Sequence, residues 1–162
     1  MIRSNRAHSL LHGDPEQAAA EAQEILDRHL ATLPEDGASM LRDVGVTCAV
    51  TVARGMTAAD ELDPAEEALL QWEAPLLRDD PWHHRLFADA WNEWVLGVRS
   101  STTLDEEPRR RMESLGIDRM FERLGAAVDC GYRDLRELNS TESLASFRGD
   151  PRFQALTERI GR

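Results

Sequence analysis

The chain has no lysine. All 19 of its basic residues are arginine, and 30 acids outnumber them for a formal charge of −11. Contact with a nucleic-acid backbone needs a net basic face, so the acidic balance argues against nucleic acid as a partner. It argues equally against anionic membrane surfaces and acidic partners. Cysteine is scarce: Cys48 and Cys130 are far apart and fit no metal-ligand spacing. Two thiols suit a reducing compartment. Long apolar runs are missing as well. No stretch approaches the roughly 18 apolar residues that cross a bilayer. The opening Met1-Ile2-Arg3-Ser4-Asn5-Arg6-Ala7-His8 has no apolar run of signal-peptide length. Cytoplasm is the expected compartment, with no membrane partner. The sequon Asn139-Ser140-Thr141 reads as a helix-start signal outside a glycosylating pathway. Strand-like alternation is absent too.

What is present is helical periodicity. Of the 162 residues, 41% are apolar and 30% charged, a folded composition long enough to bury a real core. A short helix is expected from about Ile2 to Leu11. His12-Gly13-Asp14-Pro15 supplies a stop, an N-cap and a first-turn proline for a second helix reaching Leu33. Ala18, Ala22, Ile25, Leu26 and Leu30 lie along one face of it. After the break at Pro34-Glu35-Asp36-Gly37 a third helix runs from Ala38 to Arg54, with an apolar stripe through Leu41, Val44, Cys48 and Val52. Its β-branched residues keep strand as the alternative. Met56 to Leu62 reads as a connector.

Asp63-Pro64 and Asp80-Pro81 each pair an N-cap with a proline suited to the first turn, so a fourth and a fifth helix are expected there. Pro75 should kink or end the fourth near Ala74. In the fifth, Phe87, Trp91, Trp94 and Val98 share one face. Thr103 and Glu106 form a candidate capping box for a sixth helix, Pro108 to Asp129, which Gly131 stops. Two short helices, Thr141 to Phe147 and Pro151 to Ile160, finish the chain.

The closing residues are Gly131-Tyr132-Arg133-Asp134, then Leu138, Leu144, Phe147-Arg148-Gly149 and Asp150-Pro151-Arg152-Phe153-Gln154-Ala155-Leu156. This segment resembles the end of tetratricopeptide arrays attached to eukaryotic-like bacterial serine/threonine kinases. Gly13 to Leu26 looks like the second-helix half of such a repeat, and Leu41 to Ala53 like the small-residue helix before the last hairpin. One departure is Thr141-Glu142, where relatives carry Asp-Pro. The likeness covers the two ends of the chain. Asp60 to Thr103 matches nothing, and no 34-residue period crosses it.

The resemblance implies an all-α fold of antiparallel helical hairpins stacked as a short tetratricopeptide-like solenoid. About six main helices and two short C-terminal capping helices are expected in one domain, 1–162. It divides into repeat-like hairpins (1–59), an unmatched helical middle (60–103), and a final long helix with its cap (104–162). The implied function is a non-catalytic scaffold binding a protein or peptide. The alternative is the helical tail of a longer bacterial kinase or sensor, whose partner would be intramolecular. The chain is not expected to be a kinase itself: there is no Gly-rich phosphate loop, no His-Arg-Asp or Asp-Phe-Gly, and no lysine to hold phosphates.

Candidate chemistry is thin, and neither a catalytic residue nor a cofactor is expected. His83-His84, with Asp79, Asp80, Asp89 and Glu93 nearby, has metal-ligand residue types. His84 and Asp89 are five apart, not the three or four that share a helix face, and no second pair completes a site. Exposed first-turn residues are the expected reading, and a helical-bundle metal enzyme ranks behind the scaffold. Trp91 and Trp94 share the Phe87 stripe and are expected in the core. Trp72 and Trp82 are freer, and Trp82 is the better exposed contact. The candidate partner contacts are therefore Trp72, Trp82, His83 and His84. Arg109-Arg110-Arg111 should be neutralised by Glu106 and Glu107, and Cys48 and Cys130 are expected as small buried hydrophobes.

Overall fold

Aspartate and proline set two of the helix starts. The backbones of Asp80 and Asp150 are extended, and their carboxylates accept from amides of the first turn that follows. Pro81 and Pro151 then occupy first-turn positions where no amide hydrogen is missed. The computed structural model describes residues 14–29 and 39–161. Among these are seven α-helices: α1 (Pro15–His29), α2 (Ser39–Ala58), α3 (Leu62–Leu76), α4 (Pro81–Ser100), α5 (Glu106–Asp129), α6 (Leu135–Ser140) and α7 (Pro151–Ile160). A 3₁₀ helix, Glu142–Phe147, lies between α6 and α7. No strand occurs among the described residues, so the fold is all-α. The helix expected at Ile2 to Leu11 and the break at Pro34 to Gly37 lie outside the described residues.

Several boundaries differ from expectation for local reasons. α2 continues through Met56 to Ala58, because Thr57 and its neighbours still bond back one turn and the chain reverses only at Asp60, at φ 60°. α3 starts at Leu62, and Asp63 sits inside its first turn without capping it. Pro75 falls in the last turn of α3, where the helix ends at Leu76. The Thr103–Glu106 capping box does not form: Thr103 bonds Ser101 and Asp60, and Asp105 takes the N-cap position without a side-chain bond. Gly131 does stop α5, at φ 104°, while Tyr132 donates back to the Ala127 carbonyl. The sequence reading missed α6, whose N-cap Asp134 accepts from the Glu137 amide.

Contacts between helices give their directions. Gly55, late in α2, faces Ala19 and the Pro15 carbonyl at the start of α1, so these two are antiparallel. Gly45 meets Leu76, which makes α2 and α3 antiparallel. Trp94 donates to the Leu62 carbonyl, 2.8 Å away, which sets α4 antiparallel to α3. Arg99 reaches Glu113, and Gly116 lies against Trp94 and Val95, so α5 returns along α4. Next-but-one helices run parallel. His83 meets Asp43 near the starts of α4 and α2, and Gly97 meets Thr57 near their ends. Arg152 and Arg159 of α7 pair with Asp118 and Asp129 of α5 in the same order. The core runs between all of these helices, with Trp91, Trp94, Phe87, Leu69, Met120 and Leu124 among its largest fully buried side chains.

Candidate functional site

The first turn of α4 carries Trp82, His83, His84 and Arg85 in sequence, and successive residues on a helix project about 100° apart. The structure divides them. Trp82 is 54% exposed, while His83, His84 and Arg85 are 3%, 8% and 2% exposed. The histidines are therefore not the exposed first-turn residues that the sequence suggested. α2 and α5 flank α4 and close over them. His83 Nε2 lies 2.8 Å from Asp43 Oδ1 on α2. Burial lowers the proton affinity of His84, and the nearby Arg123 guanidinium of α5 lowers it further. Trp72 is half-buried against the core. Of the four candidate contacts, Trp82 is the exposed one.

Behind this turn α4 carries a seam of buried polar groups. Glu73 of α3 is buried and accepts a 2.6 Å bond from Trp91 Nε1, with Arg123 3.6 Å away. Burial raises the Glu73 carboxyl, and the Trp91 bond and Arg123 partly hold it down. Arg85 pairs with Asp89 one turn on and lies 3.6 Å from Glu137, which accepts from the Tyr132 hydroxyl. Burial raises the Asp89 carboxyl against the pull of Arg85. Burial, reinforced by the Glu137 bond, pushes the Tyr132 phenol up to about 12. Arg54 of α2 pairs with Glu93 at 2.6 Å. Asn92 is wholly buried, and neither end of its amide has a hydrogen-bond partner.

Asn92 aside, this seam binds the structure together: its charged groups pair with one another across α2, α3, α4, α5 and α6. Such groups hold a helix in register as well as adding stability. The residue pattern gave two signals of it. Arg85 and Asp89 stand four apart, and Asn92 interrupts the apolar positions of α4. Glu73 and the Glu137–Arg85 contact left no such trace, because the groups concerned come from different helices.

The remaining reactive groups are dispersed. Burial raises the Cys48 thiol to about 11, which suppresses its thiolate. Cys130 is only half-buried, contrary to the expectation of a core residue, and its thiol is raised by desolvation and by Asp79, Asp129 and Asp80. Arg110 pairs with Glu106 as expected, whereas Arg109 donates instead to the carbonyls of Ser101 and Leu104. Among the described residues, no group of three or more His, Cys, Asp and Glu is placed to hold a metal ion. No described helix is long and apolar enough to cross a membrane.

Open grooves lie away from the seam, and two of them flank helix pairs at opposite ends of the described chain. One, of about 370 Å³, runs between α1 and α2 and is lined by Glu16, Ala19, Ala20, Gln23, Val52, Gly55, Met56, Ala59 and Glu61. The other, of about 380 Å³, lies between α5 and α7. Comparison with protein-family models, curated proteins and solved structures finds no match for this chain. Fold and site together define an all-α helical domain whose buried charged groups are paired across helices, with Asn92 left unpartnered among them.

Proposed function

We propose that the chain is a non-catalytic protein-interaction scaffold made of tetratricopeptide-like helical hairpins. The observation that carries this reading is the direction of the helices: consecutive ones antiparallel, next-but-one parallel, as in stacked hairpins. Helices stacked this way leave grooves between neighbours, and a groove floored by apolar and small side chains suits a helix or an extended peptide. The polar seam favours the same role, since its charged groups are committed to internal partners.

The C-terminal segment favours a second reading, the helical tail of a larger kinase or sensor. Leu144, Phe147, Phe153 and Leu156 are buried, and Phe147 packs edge-on to Phe121 of α5 at 5.9 Å between ring centres, as a terminal cap would. The adjoining reading frame separates the two: a kinase-coding region directly upstream favours the tail.

The scaffold reading is tested by cross-linking the full chain in its own cells and rebuilding any complex from purified components. A stoichiometric complex that maps to one surface is the expected result. No partner surviving purification sinks the reading.

A further inference from the structure

We propose that the groove between α1 and α2 is the docking site of this scaffold, and that it takes an amphipathic helix of a partner protein with basic residues along its edges. The inference rests on the scaffold reading and narrows it to one surface and one chemistry.

Shape points to a helix. The lining spans Glu16 to Gln23 on α1 and Val52 to Met56 on α2, with Ala59 just past the end of α2. Ala19, Ala20 and Ala59 add little bulk, so a third helix could approach closely. Half-buried Met56 supplies apolar contact, and a methionine thioether adapts to varied partners.

Charge selects the partner. Glu16 and Glu61 line the groove, and among the described residues no arginine does. Neither carboxylate is held in an ion pair among the described residues. The α5–α7 groove is different: its Asp118 pairs with Arg152, and its Glu122 with Arg119 and Arg123. Among the described residues the negative field of the α1–α2 groove is therefore uncompensated, and basic edges on an entering helix would neutralise it.

The test uses the full chain and two labelled synthetic peptides of about 18 residues, long enough to extend past the groove at both ends. Each has a Leu/Ala stripe, flanked by arginine in one and by glutamate in the other, and fluorescence anisotropy reads binding at about physiological salt. The arginine peptide should bind and the glutamate peptide should not. Glu16→Arg with Glu61→Arg should weaken binding by about tenfold or more. Ala20→Trp, which fills the groove from an exposed position, should do the same, with the melting curves of both variants unchanged. Glu142→Arg with Glu158→Arg makes the same charge change elsewhere and should leave binding intact.

Equal loss in that control would mean attraction by the acidic chain as a whole and would overturn the site. Failure of the arginine peptide to bind would overturn it as well. So would binding that appears only after Arg3→Glu and Arg6→Glu, since the groove would then belong to residues 1–13 of this chain. A cellular partner that binds the two groove variants as tightly as the parent chain overturns the groove but leaves the scaffold. If no cellular partner is found while the arginine peptide binds as described, the scaffold reading alone fails.

Discussion

The α4–α5 pair and the α1–α2 pair join two helices by opposite means. Between α4 and α5 the side chains are large. Trp91 and Trp94 meet edge to face at 5.5 Å, Phe87 is fully buried, and Gly116 leaves room for Trp94 and Val95. Between α1 and α2 they are small: Ala18, Ala22 and Ala53 are buried, and Gly55 lies against Ala19 and the Pro15 carbonyl. Neither α1 nor α2 contains an aromatic residue. Large rings exclude water and leave nothing over for a partner. Small side chains bring backbones close but bury less, and here they leave a groove whose acids are unpaired among the described residues. The difference teaches that one pair seals its interface with rings while the other meets through small side chains beside an open groove.

The largest test breaks the pair sealed by rings. Trp91→Ala should cost about 3–5 kcal/mol in a denaturant melt, from lost burial and the cavity left behind. A loss under about 1 kcal/mol would mean that the ring does not anchor α4. Next comes the charge seam. Arg85→Met leaves Asp89 buried without its partner and should cost about 3 kcal/mol. Adding Asp89→Asn should recover part of that, and strict additivity of the two changes in the same melt would refute the coupling.

Two glycines sharpen the contrast between close and open packing. A Cβ at Gly55 would lie 2.5 Å from the Ala19 Cβ and 2.6 Å from the Pro15 carbonyl oxygen, while one at Gly125 meets nothing within 4 Å. Gly55→Ala should therefore destabilise by about 1–3 kcal/mol. Gly125→Ala should stabilise by about 0.5–1 kcal/mol, because helical glycine is entropically costly. Matching signs in thermal melts would dismiss the close approach of α1 to α2. Asn92→Leu, which removes the unpartnered buried amide, should gain about 1 kcal/mol. A loss instead would reveal a polar role for Asn92.

The smallest effect is pH-dependent. The folded chain holds His84 below its ordinary value, chiefly through burial. The unfolded chain therefore takes up this proton first, and stability falls as pH drops below about 6.5. The raised carboxyls of Glu73 and Asp89 act in the opposite sense, gaining stability as pH falls. The difference between the parent and His84→Gln isolates the histidine: from pH 7.5 down to about 5.5 the parent should lose stability relative to the variant. An unchanged difference would show that His84 reaches water.

Much of the helix pattern was legible in the residues. Asp80-Pro81, Asp150-Pro151 and Gly131 marked ends that form as read, because caps act over three or four neighbouring residues. The Phe87–Trp91–Trp94–Val98 stripe is buried as its spacing predicts. The Thr103–Glu106 box failed because a more distant carboxylate, Asp60, engages Thr103. The two histidines were misjudged because their burial comes from helices far along the chain: α2 supplies Asp43, and α5 brings Arg123 near His84. The α1–α2 groove left no motif, since alanine and glycine signal close packing only once a neighbour is known.

The sequence by itself determined the all-α class, several helix ends and the aromatic stripe of α4, because each depends on residues within a turn or two of one another. Tertiary structure alone decided which polar side chains are sealed and which acids stay unpaired. Glu73, Arg85 and His83 find partners on other helices, whereas Glu16 and Glu61 find none among the described residues. Burial and charge pairing depend on what packs across a helix, and that is set by the meeting of distant segments.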